Sequence, residues 1–565
     1  MFRLTAIALL LPTLALAADP PRSDGGRPRV LIHQEVKGPE AVLDGVFGTV
    51  VFGCEVAQPQ AKNPFADASF TAVITTPGGK QVPVAGFCAD EKGEQYQLRY
   101  MPAEKGKHAI RMTFSENGKE MKEVEMPFTV EDKKLPGPVK IDKDHPHHFV
   151  YAGSGEHYFW NGTTTYWLLG VRDDAKIAAA IDRLAKLKVN RIRVALNART
   201  KNGGRWFEPQ VTNTKDFQFR VDPWPAKNKD SVEDPQFDTS RFNIPMWDKL
   251  DKLVAHARSK GVVVSITFHL DGADKGVDPF NGGKEKGEGY ADYKAEEAYY
   301  RYAVARLGGY SNVMWDVTNE WHLFRDEKWV NHFGDLIRKV DSGGHLISVH
   351  GRGDFPFYKA AWADFAMYQV WDDAGAYKFL RKGRELAEKA GRPMPQINEE
   401  YGYEDHYPGP WGGGKKKPAR AADTRRVLAW QMSMAGGYQT TGERADEPGQ
   451  GGWITGLGND KMTMLDGYAK VVDFFTSVAW WKMDPADGIA DNGGLVLAEK
   501  NKRYAVYAPT GGRVNLKIPA GDWRVRVYNP RTGEWGKKTD EKADEGGLTL
   551  KFAADGDWAA VLVRD

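Results

Sequence analysis

The chain has 565 residues, of which 41% are hydrophobic and 12% aromatic, and its formal net charge is only +2. This composition excludes a disordered protein and provides enough apolar residues for two to four packed domains. The near-neutral charge gives no support for binding to nucleic acid or to anionic membranes, but it leaves acidic polysaccharides open as ligands.

The first residues have the three regions of a cleaved secretory signal. Arg3 gives a basic start, residues 4–16 form an apolar run, and Ala15-Leu16-Ala17 is a small-residue cleavage site. The apolar run is too short for a comfortable membrane span, and no later segment is long and apolar enough to cross a bilayer. We therefore predict a signal peptide at residues 1–17 and a secreted or periplasmic protein without a membrane span.

Residues 28–132 alternate short strand-forming segments, such as "GTVVFGCEVA" and "HAIRMTFSE", with turns such as Asn117-Gly118. This spacing predicts an antiparallel β-sandwich. Cys54 and Cys88 are the two cysteines of the chain, and export permits a disulfide that would contribute about 3 to 4 kcal/mol. Two separate buried thiols are the equal alternative. The charged, proline-bearing residues 133–145 are predicted to be a linker.

Residues 146–485 change to short apolar strands that alternate with longer segments of helical periodicity. "DDAKIAAAIDRLAKLKVN" leads into "RIRVAL", and "IPMWDKLDKLVAHARSKG" leads into "VVVSITFHL". About eight such strands predict a (β/α)8 barrel with insertions. A doubly wound open sheet is the alternative, weakened because no Gly-rich phosphate loop follows an early strand. Residues 486–565 return to β patterns and are predicted to form a small sandwich against the barrel.

The strand "VMWDVTNE" ends in the first candidate catalytic group. Side chains alternate along a strand, so Asp316, Thr318 and Glu320 share a face that we predict to point into the barrel. Glu320 then lies at the mouth, whereas Asn319 points away unless the strand end is bulged. An "NE" pair is common by chance, and its weight here comes from its position at a strand end.

A second carboxylate follows at the predicted end of the seventh strand, in "MPQINEE". By the same alternation Gln396, Asn398 and Glu400 share a polar face, which favours Glu400 over Glu399. Two carboxylates about 5 to 5.5 Å apart suit glycoside hydrolysis with retention: one attacks the anomeric carbon and the other protonates the leaving oxygen.

Further residues are candidates for holding the substrate or the nucleophile. Arg193 is predicted to bond the nucleophile and lower its pKa, with a structural ion pair as the alternative. His269 and His350 are candidates for binding sugar hydroxyls, with an ordinary histidine whose bonds are satisfied within the fold as the alternative. Core packing is the alternative for Tyr368 and the tryptophans. Tyr368 is predicted to contact the nucleophile. Tryptophans in or beside the mouth loops are predicted to stack on sugars, with about half expected to be ordinary packing: Trp206, Trp224, Trp321, Trp371, Trp411 and Trp453.

Four segments, "YFWNGTTTYWLL", "VNRIRVAL", "VMWDVTNEWH" and "INEEYGYE", resemble the apiosidase-like catalytic domains among the retaining (β/α)8 glycoside hydrolases. The likeness covers essentially the whole mature chain, since that family often carries an N-terminal sandwich of unknown function and a small C-terminal domain labelled collagen-binding. It implies Glu320 as acid/base, Glu400 as nucleophile and Asn319 as a hydroxyl-binding amide. Thr163 departs from the family pattern, because an acidic residue is expected there.

The sequence therefore predicts a retaining glycoside hydrolase acting on a plant or algal polysaccharide, or on an oligosaccharide derived from one. No cofactor or metal is expected. The alternatives are an inactive carbohydrate- or collagen-binding protein and a polysaccharide lyase that uses Tyr and His on uronic acids.

Overall fold

The structure is a computed structural model. It describes residues 29–34, 45–198, 215–218, 220–229, 235–270, 279–280, 293–405, 420–445 and 452–564. The predicted signal peptide, Trp206 and Trp411 lie outside the described residues. Within these ranges, no helix has the length and apolar character needed to cross a membrane.

The N-terminal part consists of two four-stranded antiparallel sheets in the orders β1-β2-β6-β5 and β4-β3-β7-β8. Their strands are β1 Arg29–Gln34, β2 Val50–Ala57, β3 Ala68–Thr75, β4 Gln81–Ala85, β5 Phe87–Cys88, β6 Gln95–Tyr100, β7 Gly106–Glu116 and β8 Lys119–Val130. Alternate side chains of β7, including Ile110, Met112 and Phe114, are buried between the sheets. The β7–β8 hairpin turns at Asn117 and Gly118, whose positive φ angles suit this type of turn.

The two cysteines lie too far apart for a disulfide. Cys54 on β2 and Cys88 on β5 pair with the same residue, Tyr96, from opposite sides of β6. Two strand spacings separate them by about 10 Å, whereas a disulfide needs about 7 Å or less between Cα atoms. Both are free, and burial raises the pKa of each thiol to about 12. The structure thus supports the alternative of two separate buried thiols.

The central part is a parallel barrel, as predicted. Its strands are β12 Asn161–Thr164, β13 Arg191–Ala198, β14 Val263–Leu270, β15 Val313–Asp316, β16 Ile347–Ser348, β17 His350–Arg352, β18 Ala366–Gln369, β19 Gln396–Glu400 and β20 Tyr438–Thr441. β12 pairs with both β13 and β20. β16 pairs with β15, and β17 pairs with β18. β16 and β17 are separated only by Val349, so together they occupy one strand position of the barrel. These pairings give eight strand positions in a nearly closed ring, which confirms the (β/α)8 fold.

A small antiparallel sheet closes the amino end of the barrel. It consists of β9 Val139–Ile141, β10 Phe149–Tyr151 and β11 His157–Tyr158. The Phe149 ring packs against Trp160 and Phe365, which directly precede β12 and β18. β9 lies inside the stretch predicted to be a linker, and it shields the end of the barrel opposite the mouth.

The helices surround the barrel. They are α1 Asp174–Lys186, α2 Ile244–Ser259, α3 Tyr293–Leu307, α4 Glu327–Val340, α5 Ala376–Lys389, α6 Ala422–Met434, α7 Gly452–Thr455 and α8 Met464–Ser477. In α4 the side chain of Asp326 caps the first turn by accepting a bond from Trp329 N at 2.8 Å. Trp329, Phe333 and Ile337 then recur every four residues and form the buried face.

The C-terminal part has a six-stranded sheet in the order β21-β22-β23-β28-β25-β26 and a two-stranded sheet, β24-β27. The strands are β21 Asp484–Pro485, β22 Leu495–Glu499, β23 Arg503–Ala508, β24 Arg513–Leu516, β25 Gly521–Asn529, β26 Glu534–Ala543, β27 Leu548–Lys551 and β28 Trp558–Val563. It packs on the barrel helices: Tyr507 stacks on Trp430 of α6 at 5.0 Å, and Trp535 stacks on Phe474 of α8 at 5.5 Å.

Candidate active site

Glu320 and Glu400 contact one amide group at the carboxyl end of the barrel. Glu320 follows β15 and has a left-handed backbone (φ 44°, ψ 46°), an unusual conformation for a residue other than glycine. Glu400 is the last residue of β19. The side-chain amide of Gln369 lies between them, with one end 2.9 Å from Glu320 Oε1 and the other 3.3 Å from Glu400 Oε1. The described residues therefore bring the two carboxyls to one place.

Asn319 also points into the mouth, because β15 ends at Asp316 and alternation no longer governs the residues that follow. Its Oδ1 accepts hydrogen bonds from Arg193 at 3.1 Å and from His350 Nδ1 at 2.6 Å. Its Nδ2 lies 3.4 Å from Glu320 Oε2. The anchored oxygen fixes the orientation of the amide and leaves its nitrogen directed at the carboxyl of Glu320.

Arg193 is the cation beneath the candidate nucleophile. It is fully buried, and its guanidinium lies 3.8 Å from Glu400 Oε2, 2.9 Å from Glu399 Oε1 and 3.2 Å from Asp316 Oδ2. Arg193 thus combines both sequence interpretations, since it contacts Glu400 and also belongs to a buried ion-pair network.

The side chain of Glu399 points into the barrel, so the strict alternation predicted for β19 is wrong. The expectation was that Gln396 and Glu400 face the lumen and Glu399 faces the helices. Instead Gln396 Oε1 lies beside Gly383 of α5, and Glu399 points inward to Arg191 and Arg193. A register shift pairs Gln369 with Glu400 and leaves Glu399 without a partner on β18. This bulge directs two consecutive glutamates inward, and Glu400 is the one that lies beside Gln369.

The carboxyl of Glu400 has a strongly perturbed proton affinity. Burial and the negative charge of Glu320 raise its pKa to about 8, although Arg193, Tyr403 and Tyr166 oppose the rise. Tyr166 donates to Glu400 Oε2 at 3.1 Å, and the hydroxyl of Tyr403 is also hydrogen-bonded to this carboxyl. Two carboxyls this close titrate as a pair and hold one proton between them near neutral pH.

Tyr368 lies on the side of β18 opposite the predicted one. Its hydroxyl donates to Gln396 Oε1 at 3.2 Å and lies beside Gly383, while its ring packs on Phe379 of α5. Tyr368 therefore faces the helix layer and does not contact the nucleophile. The neighbouring Gln369 occupies the place that was predicted for it.

The two histidine candidates differ in their surroundings. His350 contacts Asn319, and burial together with Arg193 holds its pKa well below the usual value, so its ring is neutral and Nδ1 carries the proton donated to Asn319. His269 is fully buried, and its ring nitrogens face Asn197 and Glu296 at 3.2 Å each. His269 thus fits the alternative of an ordinary histidine with partners within the fold, whereas His350 orients a site residue.

The described tryptophan candidates include residues that line the mouth and residues that serve as packing. Trp371 is half-buried beside Gln369, and Trp453 stacks on Tyr403 at 4.8 Å, so both line the mouth. Trp321 follows Glu320 directly and packs on Phe357. Trp224 is fully buried and serves as packing.

A family model described as "Apiosidase-like, catalytic domain" matches residues 144–442, which is more than half of the chain. A second model, a domain of unknown function named DUF5060, matches residues 45–115.

The chain belongs to the apiosidase-like family.

Solved structures similar to this apiosidase-like chain show the same fold. A candidate glycoside hydrolase from Bacteroides vulgatus ATCC 8482 is 18% identical, with a TM-score of 0.74 over 92% of this chain and 99% of the other. A glycoside hydrolase family 5 structure from the same organism is 15% identical, with a TM-score of 0.56 over 76% and 95%. No curated protein matches the chain. The barrel thus matches an apiosidase-like catalytic domain and has a fold that is also found in these glycoside hydrolase structures.

Three residues of this apiosidase-like site were missed in the sequence. Tyr166 lies two residues beyond β12, Tyr403 three beyond β19, and Gln369 at the end of β18. The same principle that selected Glu320, a polar residue at or just after a strand end, applies to all three. In the sequence this principle selects the two carboxylates, Arg193 and the two histidines, and on β18 the predicted contact is Tyr368. The register shift that brings Gln369 beside Glu400 is invisible in the sequence.

Proposed function

We propose that the protein is a retaining glycoside hydrolase in which Glu400 is the nucleophile and Glu320 the acid/base. The observation that carries the proposal is that one amide, Gln369, contacts both carboxyls. Tyr166, Tyr403 and Arg193 surround Glu400 and stabilise its anion against burial and the charge of Glu320, which together still raise its pKa to about 8. In the reactive form the proton that the pair retains lies on Glu320. Glu320 is less buried and follows the strand at the mouth, where a leaving group has room.

The reaction has two steps. The carboxylate of Glu400 attacks the anomeric carbon while the carboxylic acid of Glu320 gives its proton to the glycosidic oxygen, which leaves as an alcohol. The ionised Glu320 then takes a proton from water, the resulting hydroxide attacks the anomeric carbon, and the bond to Glu400 breaks. The nitrogen of Asn319, whose oxygen is anchored, is placed to bond a sugar hydroxyl in both steps.

The proposed substrate is a plant or algal polysaccharide, or an oligosaccharide derived from one. The rings of Trp371, Tyr403 and Trp453 line the mouth, and flat rings suit the faces of pyranose or furanose sugars. The signal-like residues 1–17 support export, to the periplasm or to the medium, where such polymers are found.

Replacement of either carboxyl tests this function. Wild type, Glu320→Gln and Glu400→Gln are assayed against a panel of plant and algal polysaccharides by reducing-end release. We expect each substitution to lower activity by about 10²-fold or more, since each removes a group that acts in the transition state. Glu399→Gln is not a neutral control, because Glu399 supports Arg193; Glu388→Gln, at a half-exposed site on α5, is one.

Full activity in both variants would contradict the proposal. An ultraviolet-absorbing unsaturated product would instead indicate a lyase.

A further inference from the structure

Gln369 has a defined amide orientation because of its neighbour Trp371. The Nε1 atom of Trp371 lies 2.7 Å from one end of the amide. An indole N–H can only donate, so that end is the amide oxygen. The amide nitrogen is then the end that lies 2.9 Å from Glu320 Oε1, and it donates to this carboxyl.

The same amide orientation is unfavourable for the ionised form of Glu400. The amide oxygen that accepts from Trp371 lies 3.3 Å from Glu400 Oε1. Two acceptors face each other there unless Glu400 is protonated or bonded to a sugar. Turned over, the amide would donate to Glu400, but its nitrogen would then face the N–H of Trp371.

This arrangement fits the second step of the proposed reaction. In the glycosyl-enzyme Glu400 is a neutral ester, which removes its charge from the amide oxygen. Glu320 must be ionised at that stage to take a proton from water. With Trp371 donating to the oxygen and the nitrogen donating to Glu320, all three groups are satisfied in that state.

We propose that Gln369, oriented by Trp371, is a positioning residue that stabilises the ionised form of Glu320 and thereby accelerates hydrolysis of the glycosyl-enzyme. The inference rests on the proposed function, and it adds a step-specific role for two residues that do not exchange protons with the substrate.

Other charged or titratable groups also surround the pair. Among the described residues they come from each packed element: Arg193, Asp316, His322, His350, Glu399, Tyr166, Tyr403 and, over the Trp371 ring at 4.7 Å, Arg420. Arg193 and the hydroxyls of Tyr166 and Tyr403 contact Glu400, whereas Asn319 Nδ2 contacts Glu320. The amide of Gln369 lies against both carboxyls. Removing the Trp371 N–H removes the group that orients this amide, so Glu320 should lose a donor.

Trp371→Phe tests the inference, since it keeps an aromatic ring and removes only the N–H. The probe is the member of a panel of 2,4-dinitrophenyl pentosides and hexosides that the wild type hydrolyses; with so good a leaving group, the second step limits kcat. We expect kcat to fall about tenfold, the effect of weakening one hydrogen bond to a charged group. kcat/KM, which reports the first step, should change less than about threefold.

Two further readouts separate this role from a structural one. The burst of dinitrophenolate should become larger relative to the steady state, and azide, which attacks the glycosyl-enzyme without a base, should restore kcat. Gln369→Met should show the same changes in kcat and in the burst. It tests the inference independently if Trp371→Phe does not fold. Tyr403→Phe is the contrasting control, because it removes a donor from Glu400 and should lower kcat/KM instead.

Equal losses in kcat and kcat/KM, or no loss in either, would overturn the inference. That result is distinguishable from a failure of the proposed function, in which Glu320→Gln and Glu400→Gln themselves remain active.

Discussion

At the residue scale, the site is organised by unequal contacts on two similar side chains. The carboxyl of Glu400 is hydrogen-bonded to the hydroxyls of Tyr166 and Tyr403 and lies near the guanidinium of Arg193. Glu320 faces the amides of Asn319 and Gln369. Because the chemical groups are the same, the different roles proposed for them follow from these neighbours.

The pH dependence of activity follows from the shared proton. Burial and Glu320 raise the pKa of Glu400 to about 8, so the pair keeps one proton at neutral pH and loses it as the pH rises through about 8. We expect kcat/KM to be bell-shaped, with an alkaline limb near pH 8, because the first step needs one carboxylic acid and one carboxylate. A profile that stays flat from pH 6 to 10 would contradict the shared proton.

The same shift has a consequence for stability. A carboxyl whose pKa is raised on folding destabilises the protein at pH values above its unfolded pKa, because the unfolded chain ionises more readily. Glu400→Gln is therefore expected to raise the melting temperature at pH 7 while it lowers activity by about 10²-fold or more. This combination distinguishes loss of chemistry from loss of fold.

At the element scale, a buried ion cluster joins the N-terminal sandwich to the barrel helices. Arg99 of β6 contacts Asp251 of α2 through two bonds, at 2.7 and 3.0 Å, and Arg306 of α3 contacts the same carboxyl at 2.9 Å. Although burial acts against the charge, the two arginines hold the pKa of Asp251 below its usual value. The sandwich is thus attached by groups that are charged and almost inaccessible to water.

Arg99→Ala should destabilise the protein by about 3 to 5 kcal/mol, because it leaves a buried carboxylate with one partner fewer. Urea unfolding followed by tryptophan fluorescence measures the change. Lys105→Ala is the matched control in the same sandwich: its partner Asp132 is exposed, so a much smaller change than that of Arg99→Ala is expected.

The contribution of Asp251 also has a defined pH window. Because the pKa of Asp251 is lower in the folded protein than in the unfolded chain, its ionised carboxyl stabilises the folded protein at pH values above the unfolded pKa, near 3.8. This stabilisation is lost as the pH falls through the pKa of the folded protein. The difference between wild type and Arg99→Ala should therefore shrink in acid. An equal effect of Arg99→Ala and Lys105→Ala at pH 7 would contradict the account.

Elements were predictable from the sequence where the pattern is regular. The alternation in β7 and the four-residue spacing in α4 each report one buried face. β26 shows no alternation because it is an edge strand in which six of the ten residues are charged and eight are exposed, as suits an edge that must not pair with another chain. The bulge between β18 and β19 depends on contacts between distant segments, which alternation within one strand cannot show.

At the scale of the whole molecule, the barrel mouth brings together residues that are far apart in the chain. Tyr166, Arg193, Glu320, Gln369 and Glu400 come from five different strand positions. The parallel arrangement places every strand end at the same rim, which is why strand-end positions in the sequence identified Glu320 and Glu400, whereas Arg193 is the third of the eight residues of β13. The small sheet β9–β11 closes the opposite end, and the C-terminal sheets pack on α6 and α8.

The central claim is that Glu400 forms a covalent bond to the sugar. The direct measurement is mass spectrometry of a peptic digest after incubation with 2,4-dinitrophenyl 2-deoxy-2-fluoroglycosides of the accepted sugar, which slow breakdown of the intermediate. We predict one added fluoroglycosyl mass on the peptide that contains Glu400, and none in Glu400→Gln. Labelling of Glu399 or Glu320 instead, or hydrolysis that inverts the anomeric configuration with no labelled peptide, would contradict the account.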